Sequence, residues 1–149
     1  MSAALKVIEP SKSQDATALM QTRNECQQTL ETLIARTPAI VFASLGTVDG
    51  RSFAHADAPG RETNAPRAAA IMSSLMGLIE SFSRESLDSR ALYNSIATAH
   101  GSIVLVRVPS KAKLHTLCVC ADGSEILAMT IRAALDTAEQ RAARIDAAA

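Results

Sequence analysis

The stretch Ala65–Leu87, APRAAAIMSSLMGLIESFSRESL, carries a long helical pattern with strand patterns on both sides of it. Setting Ala68 at 0° and stepping roughly 100° per residue gathers Ile71, Met72, Leu75, Leu78, Ile79 and Phe82 on one side, with Met76 at its edge. The opposite side holds Ala70, Ser73, Ser74, Gly77 and Ser81, three and four residues apart, with Glu80 and Glu85 on its margins. The large apolar side is expected to anchor the sheet of its own chain. The small-residue side admits two readings: another backbone approaches closely over it, or small residues simply face water. Small-xxx-small spacing is a strong association signal only in membranes. Asn64 is placed to cap this helix, and Pro66 suits its first turn.

Upstream, residues 40–45 (IVFASL) read as a short apolar strand, and residues 51–56 as its return. Between them Gly46-Thr47-Val48-Asp49-Gly50 supplies turn residues, Asp-Gly being one of the stronger hairpin signals. Residues 57–64, with Pro59 and Gly60, read as a loop. Before the hairpin, Leu19, Cys26, Leu30, Leu33 and Ile34 trace a helical stripe from about Asp15, with Met20 at its margin. Arg23 falls inside that stripe, where its stem can pack while its charge reaches water. Pro38 ends this first helix, because the residue before a proline is pushed out of helical geometry.

Downstream, residues 91–98 (ALYNSIAT) have the mixed character of an edge strand or a pairing seam. Residues 103–108 (IVLVRV) and 114–121 (LHTLCVCA) are nearly continuous apolar strands joined by a short basic loop. Such a pair reads as a hairpin covered on both faces, which needs helices on both sides of the sheet. The last helix is expected from about Ser124, its apolar portion running through Ala138 before a charged end. The chain therefore divides into a tail over 1–13, one domain over 14–144 and a tail over 145–149.

At 149 residues one core suffices without a metal or disulfide staple. Fifteen Lys and Arg balance fifteen Asp and Glu, so no long-range field draws in nucleic acid or an anionic membrane, and a protein partner is expected instead. Aromatic content of 3% argues against base-stacking platforms and against a roomy ligand pocket. No apolar run approaches the roughly 18 residues of a membrane span, no secretory pattern opens the chain, and the cysteines are odd in number, which together point to a reducing cytoplasm. Cys118 and Cys120, two apart in a strand, share one face and pack as small hydrophobes, while His115 projects to the other. No metal site or cofactor is expected.

Catalytic motifs are absent from the sequence: no Gly-x-Ser-x-Gly elbow, no His-Glu-x-x-His pair and no phosphate-cradling Gly-x-x-x-x-Gly-Lys-Ser/Thr loop. His55, His100 and His115 lack partner motifs and read as structural. Arg61 and Arg67 border the start of the central helix, yet exposed arginines there are more often solvated than catalytic toward a partner's nucleotide.

The first helix ending before Pro38, the strand at 40–45, the turn at Asp49-Gly50 with Phe53-Ala54 after it, the apolar central helix, Gly101 leading into 103–108 and the strand at 114–121 together resemble the Roadblock family. That is the domain of Roadblock-type dynein light chains and of bacterial regulators of small Ras-like GTPases. The resemblance spans about residues 15–143 and rests on pattern, not on invariant chemistry. Relatives often place a glycine close to the start of the last helix, and Gly123 is the one candidate here. The resemblance implies an α+β fold in the order α-β-β-α-β-β-β-α. Its five-stranded antiparallel sheet would carry the central helix on one face and the two terminal helices on the other. It also implies a non-enzymatic homodimer, with central helices and third strands pairing between protomers, that acts as regulator or scaffold for a small Ras-like GTPase. On this sequence the interface maps to Ala70, Met72, Ser73, Met76, Gly77, Ile79 and Ser81 of the helix and to Leu92, Tyr93 and Ser95 of the strand. The alternative is a small-molecule sensor of related sheet-and-helix type, which requires an internal cavity.

Overall fold

The computed structural model describes residues 12–112 and 115–148; most of the expected N-terminal tail, the first residue of the strand expected at 114–121 and residue 149 lie outside them. The elements are α1 (Lys12–Arg36), β1 (Ile40–Thr47), β2 (Ser52–Asp57), α2 (Ala65–Leu87), β3 (Tyr93–Thr98), β4 (Gly101–Arg107), β5 (His115–Asp122) and α3 (Leu127–Ala148). All strand pairs are antiparallel, in the order β2-β1-β5-β4-β3. This is the α+β order expected from the sequence.

Two-sided strands make a two-sided core. On one face Leu117 and Val119 of β5, Val104 and Val106 of β4, and Ala43 and Leu45 of β1 pack with Cys26, Leu30 and Ile34 of α1 and Ala134, Ala138 and Ala142 of α3. On the other face Cys118 and Leu105, flanked by Ile103 and Cys120, pack with Met72 and Met76 of α2. The period-two alternation along β4 and β5 thus feeds both helical layers. Leu19 and Met20, assigned to the α1 stripe, are exposed. Arg23 lays its guanidinium 5.3 Å from the centroid of the Phe53 ring.

The final helix differs from expectation at both ends. It begins at Leu127 because the Asp122 carboxylate accepts hydrogen bonds from the Ser124 amide, at 2.9 Å, and from the Ser124 hydroxyl, which holds 123–125 in a turn. At the far end it continues through Ala148, where a tail was expected from residue 145; Ile145 packs on the core and the alanines favour the helix.

The two edges of the sheet are treated differently. The outer edge of β2 is occupied by the Gln27 side chain, whose Oε1 accepts from the His55 amide at 3.0 Å and whose Nε2 donates to the His55 carbonyl at 2.5 Å. That amide reproduces the two bonds an added strand would make. The outer edge of β3 has no such cap among the described residues.

The outer face of helix α2 and the edge strand β3

Helix α2 is held at both ends by its own sequence. Asn64 accepts from the Arg67 amide at 3.1 Å with Pro in the first turn, and Asp88 closes the C-terminus in the left-handed region with φ 49°, its amide bonding the Arg84 carbonyl at 3.0 Å. The bounds match those read from the sequence, but the faces do not. The residues buried against the sheet are Ala65, Ala69, Met72 and Met76, one per turn. Ile71, Leu78, Ile79 and Phe82, expected to anchor the sheet, are exposed, with Leu78 and Phe82 each at 69%, and Leu75 is half-buried.

The physical reason lies in the surface beneath the helix. Strands β1 and β5 meet α2 with Ser44 and Cys118, and the Ser44 hydroxyl donates to Met72 Sδ at 3.6 Å. A slim alanine-and-methionine stripe fits there, and the thicker aliphatic stripe is turned roughly a third of a revolution away. The small-residue side does receive a close backbone, but from the same chain. The β1–β2 turn leans on it: a Cβ built on Gly50, at φ 88°, would lie 3.5 Å from Ala70 Cα and 3.6 Å from Ser73 Cβ, and the Ser73 hydroxyl donates to the Val48 carbonyl at 2.7 Å.

The residues assigned to an interface consequently separate. Met72 and Met76 are 4% and 3% exposed and belong to the core beneath α2. Ser73 is half-buried under the turn. Ala70, Gly77 and Ser81 are exposed, and nothing lies within 4 Å of a Cβ placed on Gly77. Ile79, Leu92, Tyr93 and Ser95 are exposed, Leu92 at 79%. Ile71, Leu78, Phe82, Leu87 and Ile96, with the half-buried Leu75 beside them, complete the apolar surface without having been singled out as interface residues. The second stripe, Ala65-Ala69-Met72-Met76 at i, i+4, i+7 and i+11, was the available signal that the aliphatic side was free to face outward.

Strand β3 is tied to this helix. Glu80 accepts from the Ala91 amide at 3.2 Å and lies 3.5 Å from Arg84, while Asn94 donates to Met76 Sδ at 3.2 Å. Pairing with β4 sets Ile96 opposite Ile103 and Tyr93 opposite Val106, so Ile96 lies on the α2 face and Tyr93 on the face of the terminal helices. A recess of about 480 Å³ opens beside Tyr93, lined by Leu92, Val106, Val108, Leu135 and Ala138 among others.

The polar chemistry elsewhere is dispersed. Phe53 meets the His115 ring edge-on at 4.8 Å, with His115 Nδ1 buried and without a hydrogen-bond partner among the described residues; burial lowers the His115 pKa. The Sγ atoms of Cys118 and Cys120 are 3.8 Å apart on the α2 side of β5. Among the described residues no three His, Cys, Asp or Glu side chains converge as a metal site, and no helix is long and apolar enough to cross a membrane.

No protein-family model matches the sequence, and no curated protein matches it. Solved structures do match. An MglB described as having a tetrameric arrangement superposes with a TM-score of 0.75 at 15% identity, over 86% of this chain and 93% of that one. The gliding protein MglB from Thermus thermophilus gives 0.73 at 15% identity over 86% and 93%. A Roadblock/LC7 domain from Streptomyces avermitilis gives 0.69 at 17% identity over 80% and 96%. At such identities the likeness is one of fold: this chain has a Roadblock-type fold.

Proposed function

We propose that this Roadblock-type chain is a non-enzymatic, self-associating interaction module that regulates or scaffolds a small Ras-like GTPase in the cytoplasm. One observation carries the self-association: Ile71, Leu78 and Phe82 of the aliphatic stripe of α2 face outward on the helix that is tied to the uncapped edge strand β3. Fully burying a Leu or Phe side chain contributes about 1.5–3 kcal/mol, and an antiparallel partner strand would satisfy the β3 edge at the same time. A second copy supplies both complements, because a two-fold interface pairs the same patch with itself. The interface therefore moves from the small-residue side of α2 to its aliphatic side, while keeping Ile79, Leu92, Tyr93 and Ser95.

The GTPase link is supported by the family resemblance and the Roadblock-type fold, and the absence of a phosphate-cradling loop from the sequence is consistent with a protein that acts on a GTPase without being one. Three free cysteines suit a reducing compartment. Light scattering of the purified chain is expected to report a dimer or larger assembly, and the pair Leu78→Glu with Phe82→Glu a folded monomer. Affinity purification followed by nucleotide-exchange and hydrolysis assays on a recovered Ras-like GTPase tests the partner. A monomeric wild type would refute self-association, and a GTPase whose exchange and hydrolysis are both unaffected, with no stable complex, would refute the regulatory and scaffolding roles.

A further inference from the structure

Helices α1 and α3 share the sheet face opposite α2, and an open groove of about 680 Å³ lies between them. Arg141 of α3 lines it. The residue is only 8% exposed, its Nε is buried without a hydrogen-bond partner among the described residues, and its Nη1 has Cys26 Sγ at 3.9 Å, a weak acceptor. Burial pushes the Cys26 thiol up from its ordinary value, so it stays neutral near pH 7 and offers no counter-charge.

The carboxylates of the groove are committed elsewhere. Glu25 Oε1 lies 2.9 Å from Arg144 Nη2, and Asp136 Oδ2 lies 3.5 Å from Arg132 Nε. Arg36, also lining the groove, makes no ion pair among the described residues. A buried guanidinium without an anion is costly, and its planar fork of donors matches the oxygens of a carboxylate or a phosphate. Thr29, Thr137 and Gln140 add hydroxyl and amide groups to the walls.

We propose that the α1/α3 groove binds a small molecule through a carboxylate or phosphate group, with Arg141 as the counter-charge and Arg36, roughly 15 Å further along α1 than Cys26, adding a longer-range positive charge. The site is on the far side of the sheet from α2, so it is independent of the self-association proposed above and is testable on the monomeric variant as well as on the wild type.

The experiment titrates the full chain with inorganic phosphate and, separately, with acetate, each against chloride at matched ionic strength, by calorimetry and by thermal unfolding. Matching against chloride and against a variant is needed because phosphate stabilises folded proteins without binding them. Binding of at least one anion is expected, with a rise in Tm. Arg141→Met should weaken it about tenfold or more, the loss of a charge-assisted hydrogen bond. Without the anion that variant should be as stable as the wild type or more so, whereas an arginine with a purely structural role would leave it destabilised. Arg36→Gln should weaken binding less, and Arg67→Gln, on α2, not at all. Binding of phosphate alone identifies a phosphate group as the ligand chemistry, and binding of acetate alone a carboxylate. No binding of either anion, or equal binding by Arg141→Met, overturns the site.

Discussion

A methyl group added at Gly101 would stand 2.0 Å from the carbonyl oxygen of Ala121, where β4 begins its pairing with β5. The obstacle is backbone, so no side-chain rotation relieves it. Gly101→Ala should destabilise the fold by about 3 kcal/mol, toward the upper end of overpacking effects, as read from urea unfolding midpoints. The sequence singled out Gly101 only as the residue leading into a strand; the close approach depends on a partner about twenty residues later. His115 gives a second prediction at this scale. Burial holds its pKa below the ordinary 6.5, so the folded state resists the proton that the unfolded chain accepts. Its contribution is fully present above about pH 6.5 and is lost as pH falls through that value toward the depressed folded pKa. His115→Phe should flatten this part of the pH–stability curve, measured by thermal unfolding from pH 7.5 to about 5. A curve for His115→Phe that falls as steeply as the wild type's would assign the loss to other groups.

At the scale of elements, α2 shows how a helix can be correctly bounded and wrongly turned. Its caps are local: Asn64 lies within its first turn's reach and Asp88 within its last. Its orientation is not local, because the sheet beneath it is lined by Ser44 and Cys118 and accepts the slimmer of two stripes. Gly77→Glu, which would break a packing through the small-residue side, is expected to leave the proposed oligomer nearly intact, and Leu78→Glu with Phe82→Glu to dissociate it; light scattering distinguishes the two. The edge strands provide a further test. Gln27→Ala uncovers the His55 amide and carbonyl and should cost about 1 kcal/mol. It should also make the chain prone to association through β2, visible as concentration-dependent light scattering that the α2 variants do not suppress.

For the molecule as a whole, the sheet separates two helical layers of different character. One layer joins α1 and α3 around a polar groove with a buried guanidinium; the other is a single helix whose outer side is aliphatic and whose neighbouring strand edge is open. If the second layer is the self-association surface, Tm of the wild type should rise with protein concentration, and Tm of the Leu78→Glu/Phe82→Glu variant should not. The element order was legible in the sequence because it rests on short-range signals. Pro38 stops a helix, Asp49-Gly50 turns a hairpin, and the doubly apolar runs of β4 and β5 demand cover on both faces. The proposed surface was legible only in part: Leu92 and the β3 residues Tyr93 and Ser95 stand out by the mixed polarity of their stretch, but the sequence reading places Met72 and Met76 outward and Leu78 and Phe82 inward. A ranking by side-chain size carries no information about the gap between helix and sheet. The capping of β2 by Gln27, the seat of the β1–β2 turn on Ala70 and Ser73, and the unpaired burial of Arg141 beside Cys26 each join residues 20 or more positions apart, Arg141 and Cys26 by 115. Hydrophobic period and turn chemistry act over a few residues and so specify the elements. Packing over such separations selects which side of each element meets the core and which remains open to a partner.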